Sequence, residues 1–371
     1  MLTKADDYPV HQTPEPIAYA GTDRNFYDRF FFNGLSADGS VFFAVALGVY
    51  PHLDIMDCAV NVIVDGRQHI MRASKHMKSE RLDLTIGPVT VEIIEPLHSL
   101  RIRVAPSDGP ITADLVFTAR HTPIEEPRFM RRIGPRAFMD YTRLTQNGSW
   151  SGRLSVGGVD LPVPALKFLG TRDRSWGVRP VGAPDSQPPV QGAMSQFYWL
   201  WTPANFQDYA VFCHTNDDAF GRPWNRRAVI APLVGEAREF EDVRFDFDWA
   251  PGGRRLKGLT CHFRDPLGEA SLSFETGTHF YMQGLGYTHP QWGHGMDRGP
   301  LAVTHEVIDL GAVKDLEPAL LHIQALSRAK LVIDGREHAG VGVVEQFFIG
   351  PHAPSGMASL LDPALSVPSA G

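Results

Sequence analysis

Residues 170 to 180, GTRDRSWGVRP, hold the densest chemistry in the chain. Asp173 stands between Arg172 and Arg174, with Trp176 and Arg179 close behind. Flanking guanidiniums lower a carboxyl pKa, which suits an ion pair or a general base, whereas burial against the indole raises it and suits an acid. Both readings stay open, because ion-pair networks perturb pKa values without any catalysis. A second cluster, YMQGLGYTHPQWGHG at 281–295, sets Tyr281, Tyr287, His289, Trp292 and His294 among four glycines. Histidines five apart are not on one helical face, so a metal would need a third ligand such as His279 or His305. A third is VGVVEQFFIGPH at 341–352, where Glu345 interrupts an apolar strand. Such a carboxyl must be paired, protonated or exposed: aimed into a cavity it becomes an acid, and paired with an arginine it is structural. A fourth, QFYWLWTPANFQDYAVFCHTND at 196–217, carries Tyr198, Trp199 and Trp201, which make core or line an apolar cavity.

The elements that must position these residues are strands. VRFDFDW (243–249) puts Val243, Phe245, Phe247 and Trp249 on one face, and LRIRV (100–104) alternates likewise. Asp38-Gly39, Asp65-Gly66, Asp108-Gly109, Asn147-Gly148 and Asp334-Gly335 are hairpin dipeptides. Helical periodicity is scarce; 315–335 predicts a short helix, with Asp315 as N-cap, running into a strand. VDGRQH (64–69) and IDGREH (333–338) echo each other, either as similar hairpins or as traces of a duplicated barrel. The fold class is therefore all-β, with barrels or sandwiches and few short helices. The stretch rich in Pro and Gly at 181–193 reads as a linker between an N-terminal domain (1–180) and a C-terminal one (194–350), and 351–371 as a partly disordered tail.

The net charge of −7, from 35 basic and 42 acidic residues, argues against a nucleic-acid partner. Three scattered cysteines imply neither zinc nor a disulfide framework and fit a reducing cytoplasm. The N-terminus lacks a signal-peptide core, and the longest apolar run, 41–50, is too short to span a bilayer, so a soluble protein with no transmembrane segment is expected. No GxSxG elbow, Walker loop or GxGxxG fingerprint is present, which disfavours elbow-type hydrolases, nucleotide-driven enzymes and Rossmann dehydrogenases.

With TRDRSWG (171–177), GYTHPQWGHG (286–295) and GVGVVEQFFIGPH (340–352) in view, the chain resembles the carotenoid 1,2-hydratase (hydroxyneurosporene synthase)-like superfamily, and more distantly the fungal lipocalin-like Diels–Alderases. The resemblance extends loosely from about residue 25 to 357. It implies two lipocalin-like (calycin) antiparallel barrels packed together and acid-initiated chemistry on isoprenoid or polycyclic substrates without a cofactor. Asp173, Trp176 and Gly177 match the family motif, but Arg174 stands where the family has histidine, and an arginine cannot relay a proton at neutral pH. The proton would then come from His289, His294 or Glu345.

The resulting expectation is a cofactor-independent hydratase (lyase), isomerase or cyclase acting on a hydrophobic terpenoid, steroid or polyketide-like substrate in an apolar barrel pocket. Asp173, His289, His294 and Glu345 would be catalytic. Trp176, Trp199, Tyr198, Tyr281, Tyr287, Trp292 and Arg174 would bind substrate. The alternatives are a non-catalytic carrier of lipid-like molecules and a metal-dependent enzyme using His289 and His294; a homodimer is compatible with the chain.

Overall fold

The computed structural model describes every residue except 20, 165–166, 188–189, 191–194, 315 and 366–371. Among the described residues the regular structure is β-strand, with 3-10 turns of three or four residues and no longer helix. The helix expected after 315 reduces to the single turn Pro318–Leu320 before the strand Ile323–Ile333, and its expected cap, Asp315, lies outside the described residues. No helix among the described residues is long and apolar enough to cross a membrane.

The chain divides into two compact units: Met1–Gly192 with Gly284–Ile308, and Ala193–Gln283 with Asp309–Gly371. Residues 284–308 thus fold with the first unit although they follow the Ala193–Gln283 segment of the second in sequence. Residues 188–189 and 191–193 of the expected linker lie outside the described residues. Its first residues are docked on the first unit, where Arg24 donates to the carbonyls of Val181 and Ala183 (both 2.9 Å). The tail is also anchored as far as it is described: buried Arg254 donates to the carbonyls of Gly350 (2.9 Å), Ser359 (2.9 Å) and Asp362 (2.7 Å).

In the first unit one antiparallel sheet runs from Leu301–Asp309 through Arg67–His76, Ile55–Val64, Phe42–Tyr50, Phe26–Ser36, Phe168–Val178 and Arg136–Val156. It continues through Ile111–Ala119, Ser99–Val104 and Val89–Glu95 to Thr85–Ile86. The sheet curls until Lys75 reaches the carbonyl (3.0 Å) and carboxylate (2.9 Å) of Asp83, nearly closing a barrel. Its interior is filled: Phe32, Phe43, Phe117, Trp150 and Phe168 pack edge-on or stacked, surrounded by Val, Ile, Leu and Met. A small barrel filled in this way is a core and not a container, so the ligand cavity expected inside a barrel is not found in this one.

In the second unit the order is Arg238–Phe240, Pro223–Pro232, Tyr209–Asp217, Phe197–Trp201, Arg336–Ile349, Ile323–Ile333, Gly268–Tyr281, Leu256–Asp265 and Asp242–Trp249. This sheet also rolls up, with Arg226 donating to Val243 O (3.1 Å) and Arg238 gripping Asp265 (2.8 Å).

Two of the hairpin dipeptides act as expected. Asp65-Gly66 and Asp334-Gly335 both have positive φ (51° and 71° in each) and connect paired strands, so the VDGRQH/IDGREH echo is two hairpins of one turn type. Asn147-Gly148 instead lies inside the strand Arg136–Val156. A Cβ on Gly148 would come within 2.3 Å of the Phe117 ring, so that glycine answers a close approach rather than a turn. Asp108-Gly109 joins no hairpin of this type, since Gly109 does not have positive φ.

Candidate functional site

Period-two geometry decides what the TRDRSWG stretch does. It lies in the strand Phe168–Val178, so Arg172 and Arg174 face one way and Asp173 the other. Arg174 aligns with Phe30 and Arg172 with Phe32, both barrel-interior residues. Arg174 pairs with Asp28 and stacks on the Phe30 ring at 4.1 Å, while Arg172 Nε donates to Gln146 Oε1 at 2.8 Å. Burial pulls both arginines down to about 10, which still leaves them charged at neutral pH. Asp173 faces outward beside Thr145 and Phe31, within the electrostatic reach of Arg143. Arg143 itself is held by Glu126 at 2.5 Å. Trp176, on the arginine face, is 40% exposed.

That outward face carries a polar layer that the sequence reading did not assemble. One row across the strands reads Ser175, Arg29, Gly48, Asp57, Ser74, and the next reads Asp173, Phe31, Ala46, Ala59, Arg72. Gly48, Ala46 and Ala59 leave a shallow trough between the longer side chains. Gly48 is required there, because a Cβ would stand 2.2 Å from the Tyr50 hydroxyl and 3.0 Å from Asp57 Oδ1. Residues 284–298 cover the trough. Asn61 Nδ2 donates to Gly284 O (3.3 Å), and Leu285, Trp292, Gly293, Met296 and Arg298 close over Ala46, Asp57, Ala59 and Arg72 around a cavity of about 10 Å³, room for a single water.

Asp57 is the chemical centre of this layer. Its Oδ1 accepts from the Tyr50 hydroxyl (3.1 Å) and its Oδ2 from the Gly295 amide (2.7 Å). Burial raises its carboxyl to about 6, against the opposing pull of the Gly295 amide and the Arg29 charge. Burial, reinforced by Asp57, likewise pushes the Tyr50 phenol well above its ordinary value. The Tyr287 hydroxyl accepts from Arg29, whose guanidinium lies 4.6 Å above the Tyr287 ring. The His294 ring stands edge-on to Tyr287 at 4.6 Å, and Arg179 lies 5.4 Å from the same ring.

His289 sits in the same covering segment, its Nδ1 accepting from the amides of Gln291 (3.1 Å) and Trp292 (2.9 Å). That arrangement fixes the proton of the neutral ring on Nε2, which faces Glu306 at 3.8 Å. Burial and then the Arg72 charge lower its pKa, which keeps the ring neutral at pH 7. Trp292 lies under Arg298 at 5.2 Å. No three His, Cys, Asp or Glu side chains among the described residues are grouped to hold a metal ion.

The remaining expected residues belong to the second unit. Glu345 is buried and bound by three donors: Trp199 Nε1 (2.7 Å) and His322 Nε2 (2.8 Å) on Oε1, and Gln324 Nε2 (2.7 Å) on Oε2. Burial alone would raise its pKa, but the His322 and Gln324 hydrogen bonds outweigh it and hold the carboxylate below its ordinary value. The partner is thus a histidine and not the arginine weighed from sequence. Tyr198 turns to the opposite face, stacked on His352 (3.9 Å) and Phe348 (4.3 Å), and Tyr281 is buried near His279.

Arg29, Tyr50, Asp57 and His322 were missed by the sequence reading. The signal was of the same kind that flagged Glu345, namely charged residues breaking nearly continuous apolar strands in FYDRFFF and IMDCAVNVIV.

Fold and site together define a lipocalin-like protein of two antiparallel β-barrel units, one bearing a buried layer of Arg29, Tyr50 and Asp57 on its outward face. The chain belongs to a family of unknown function (DUF8625), whose model matches residues 2–358. No curated protein matches it. Among solved structures it is similar to a protein of Nitrosomonas europaea described as AttH, at 14% identity and a TM-score of 0.51, covering 91% of this chain and 98% of that one. It is also similar to kievitone hydratase from Nectria haematococca (11% identity, TM-score 0.48, 86% and 88% covered). A third similar structure is CghA with Sch210972 (13% identity, TM-score 0.49, 88% and 89% covered).

Proposed function

We propose that this protein is a cofactor-independent acid/base enzyme acting on a hydrophobic substrate, with Asp57 carrying the proton. The observation behind this reading is a carboxyl buried between Tyr50 and the Gly295 amide and lifted to about 6. A carboxyl with that value is partly protonated near neutral pH, which is what a general acid that must also be regenerated requires.

Protonation of a double bond by Asp57 would create a cation, and water or an internal nucleophile would then complete a hydration or a cyclisation. Loss of a proton back to the Asp57 carboxylate would give an isomerisation instead. A terpenoid or polyketide-like substrate is favoured by the resemblance to the hydroxyneurosporene synthase-like superfamily and by the small side chains of Ala46 and Ala59 in the trough. Asp173 and His294 belong to the reading as neighbours in the same layer, and His289 as the residue that shapes the cover over it.

The test does not require the substrate to be known. Wild-type protein incubated in D2O with a panel of apolar alkenes and ketones should place solvent deuterium on at least one of them, detected by mass spectrometry. Asp57→Asn should reduce the rate by roughly a hundredfold or more. The wild-type rate should fall as pH rises through about 6, where Asp57 loses its proton. Equal exchange by wild type and Asp57→Asn would overturn the assignment.

A further inference from the structure

Arg29 is 2% exposed and lies in the row that holds Asp57, with Gly48 between them. Its guanidinium has one hydrogen-bond partner among the described residues, the Tyr287 hydroxyl, which takes NH1. Nε and NH2 are buried with no partner, and Arg29 makes no ion pair among the described residues. Elsewhere in the same unit the Nε/NH2 edge is the one that grips carboxylates side-on. Arg101 holds Asp114 with two bonds of 2.6 Å, and Arg128 holds Asp140 at 2.6 and 2.8 Å. Other buried arginines of this layer have their own carboxylates, Arg72 on Glu306 (2.6 Å) and Arg143 on Glu126 (2.5 Å). Two buried guanidinium donors left without acceptors are costly, and an empty side-on fork fits a planar pair of oxygens better than any other group.

We infer that the Nε/NH2 edge of Arg29 is the docking point for a ligand carboxylate, so that the substrate of the Asp57 site is an apolar carboxylic acid. This inference rests on the acid/base reading of that site. Arg29 holds one end of the ligand, and the trough of Gly48, Ala46 and Ala59 receives the chain beside it. The Tyr287 ring fixes the guanidinium plane from above, which sets the direction in which the carboxylate must approach. The covering residues Leu285, Trp292 and Met296 must move for a ligand of any size to enter, because the cavity they close holds about 10 Å³.

Decanoate and decanol serve as matched probes, with binding followed by calorimetry at pH 7.5 on the full-length protein. The wild type should bind decanoate roughly ten- to a hundredfold more tightly than decanol, the range of a charge-assisted paired hydrogen bond. Arg29→Gln should abolish the preference, weakening decanoate binding by roughly tenfold or more relative to decanol binding. Arg29→Lys, which keeps the charge without the fork, should retain only part of it and guards against a misfolded Gln variant, with near-UV circular dichroism confirming the fold of each. Equal affinity of the wild type for acid and alcohol, or an undiminished preference in both variants, overturns the inference. The two readings fail separately: loss of deuterium exchange in Asp57→Asn without any acid preference sinks only the carboxylate assignment. An acid preference with normal exchange in Asp57→Asn sinks only the role of Asp57.

Discussion

Two buried carboxyls in this chain move in opposite directions, and the donors around them explain why. Asp57 receives one amide and one phenol, too little to offset its burial, so its carboxyl rises to about 6. Glu345 receives an indole, an imidazole and an amide, and stays ionised. A folded-state pKa above the unfolded one means that the native state holds the proton more tightly. The stability from Asp57 is therefore present below about pH 4 and is lost as pH rises through about 6, by about 3 kcal/mol at 1.36 kcal/mol per pKa unit. Asp57→Asn cannot ionise. Its stability relative to wild type should improve by about that amount between pH 4 and pH 7.5, read from denaturant midpoints. Parallel pH profiles for the two proteins would show that Asp57 is not perturbed.

At the scale of the strand, the site depends on small residues as much as on charged ones. Gly48→Ala should cost about 1–3 kcal/mol, since its Cβ would overlap the Tyr50 hydroxyl and crowd Asp57 within a packed layer. Gly258→Ala is the control. It lies in the strand Leu256–Asp265, its new Cβ would meet nothing closer than 3.4 Å, and its effect should stay within about 0.5 kcal/mol. Thermal unfolding of both variants checks the pair, and a similar loss in each would remove the steric argument. The alternation of VRFDFDW and LRIRV and the Asp65-Gly66 and Asp334-Gly335 turns could be read from sequence because each is set by contacts a few residues apart. The same period applied to TRDRSWG would have separated Asp173 from its flanking arginines. Without that period, neighbours in sequence pass for neighbours in space.

For the whole molecule, the unexpected feature is that residues 284–308 fold with the first unit, as both the cover of the trough and a strand beside Arg67–His76. Trp150→Ala empties the centre of the first barrel and should cost roughly 3–5 kcal/mol. In hydrogen exchange the variant should raise exchange across 284–308 together with 26–76, and by more than in 268–281. If 284–308 instead followed 268–281, the segment would belong energetically to the second unit. Pairing across more than two hundred residues leaves no local trace, so the Pro- and Gly-rich stretch at 181–193 was the only boundary that composition could suggest.

By itself the sequence determined the all-β class, much of the strand alternation and two of the hairpins. All of these follow from side-chain periodicity or turn chemistry. Only the tertiary structure decided that Asp173 shares its face with Arg143, that Glu345 binds His322, and that the 284–298 segment closes over Arg29 and Asp57. Those outcomes depend on register between strands distant in sequence. A shift of one residue would turn every side chain in the row Ser175, Arg29, Gly48, Asp57, Ser74 to the other face of the sheet.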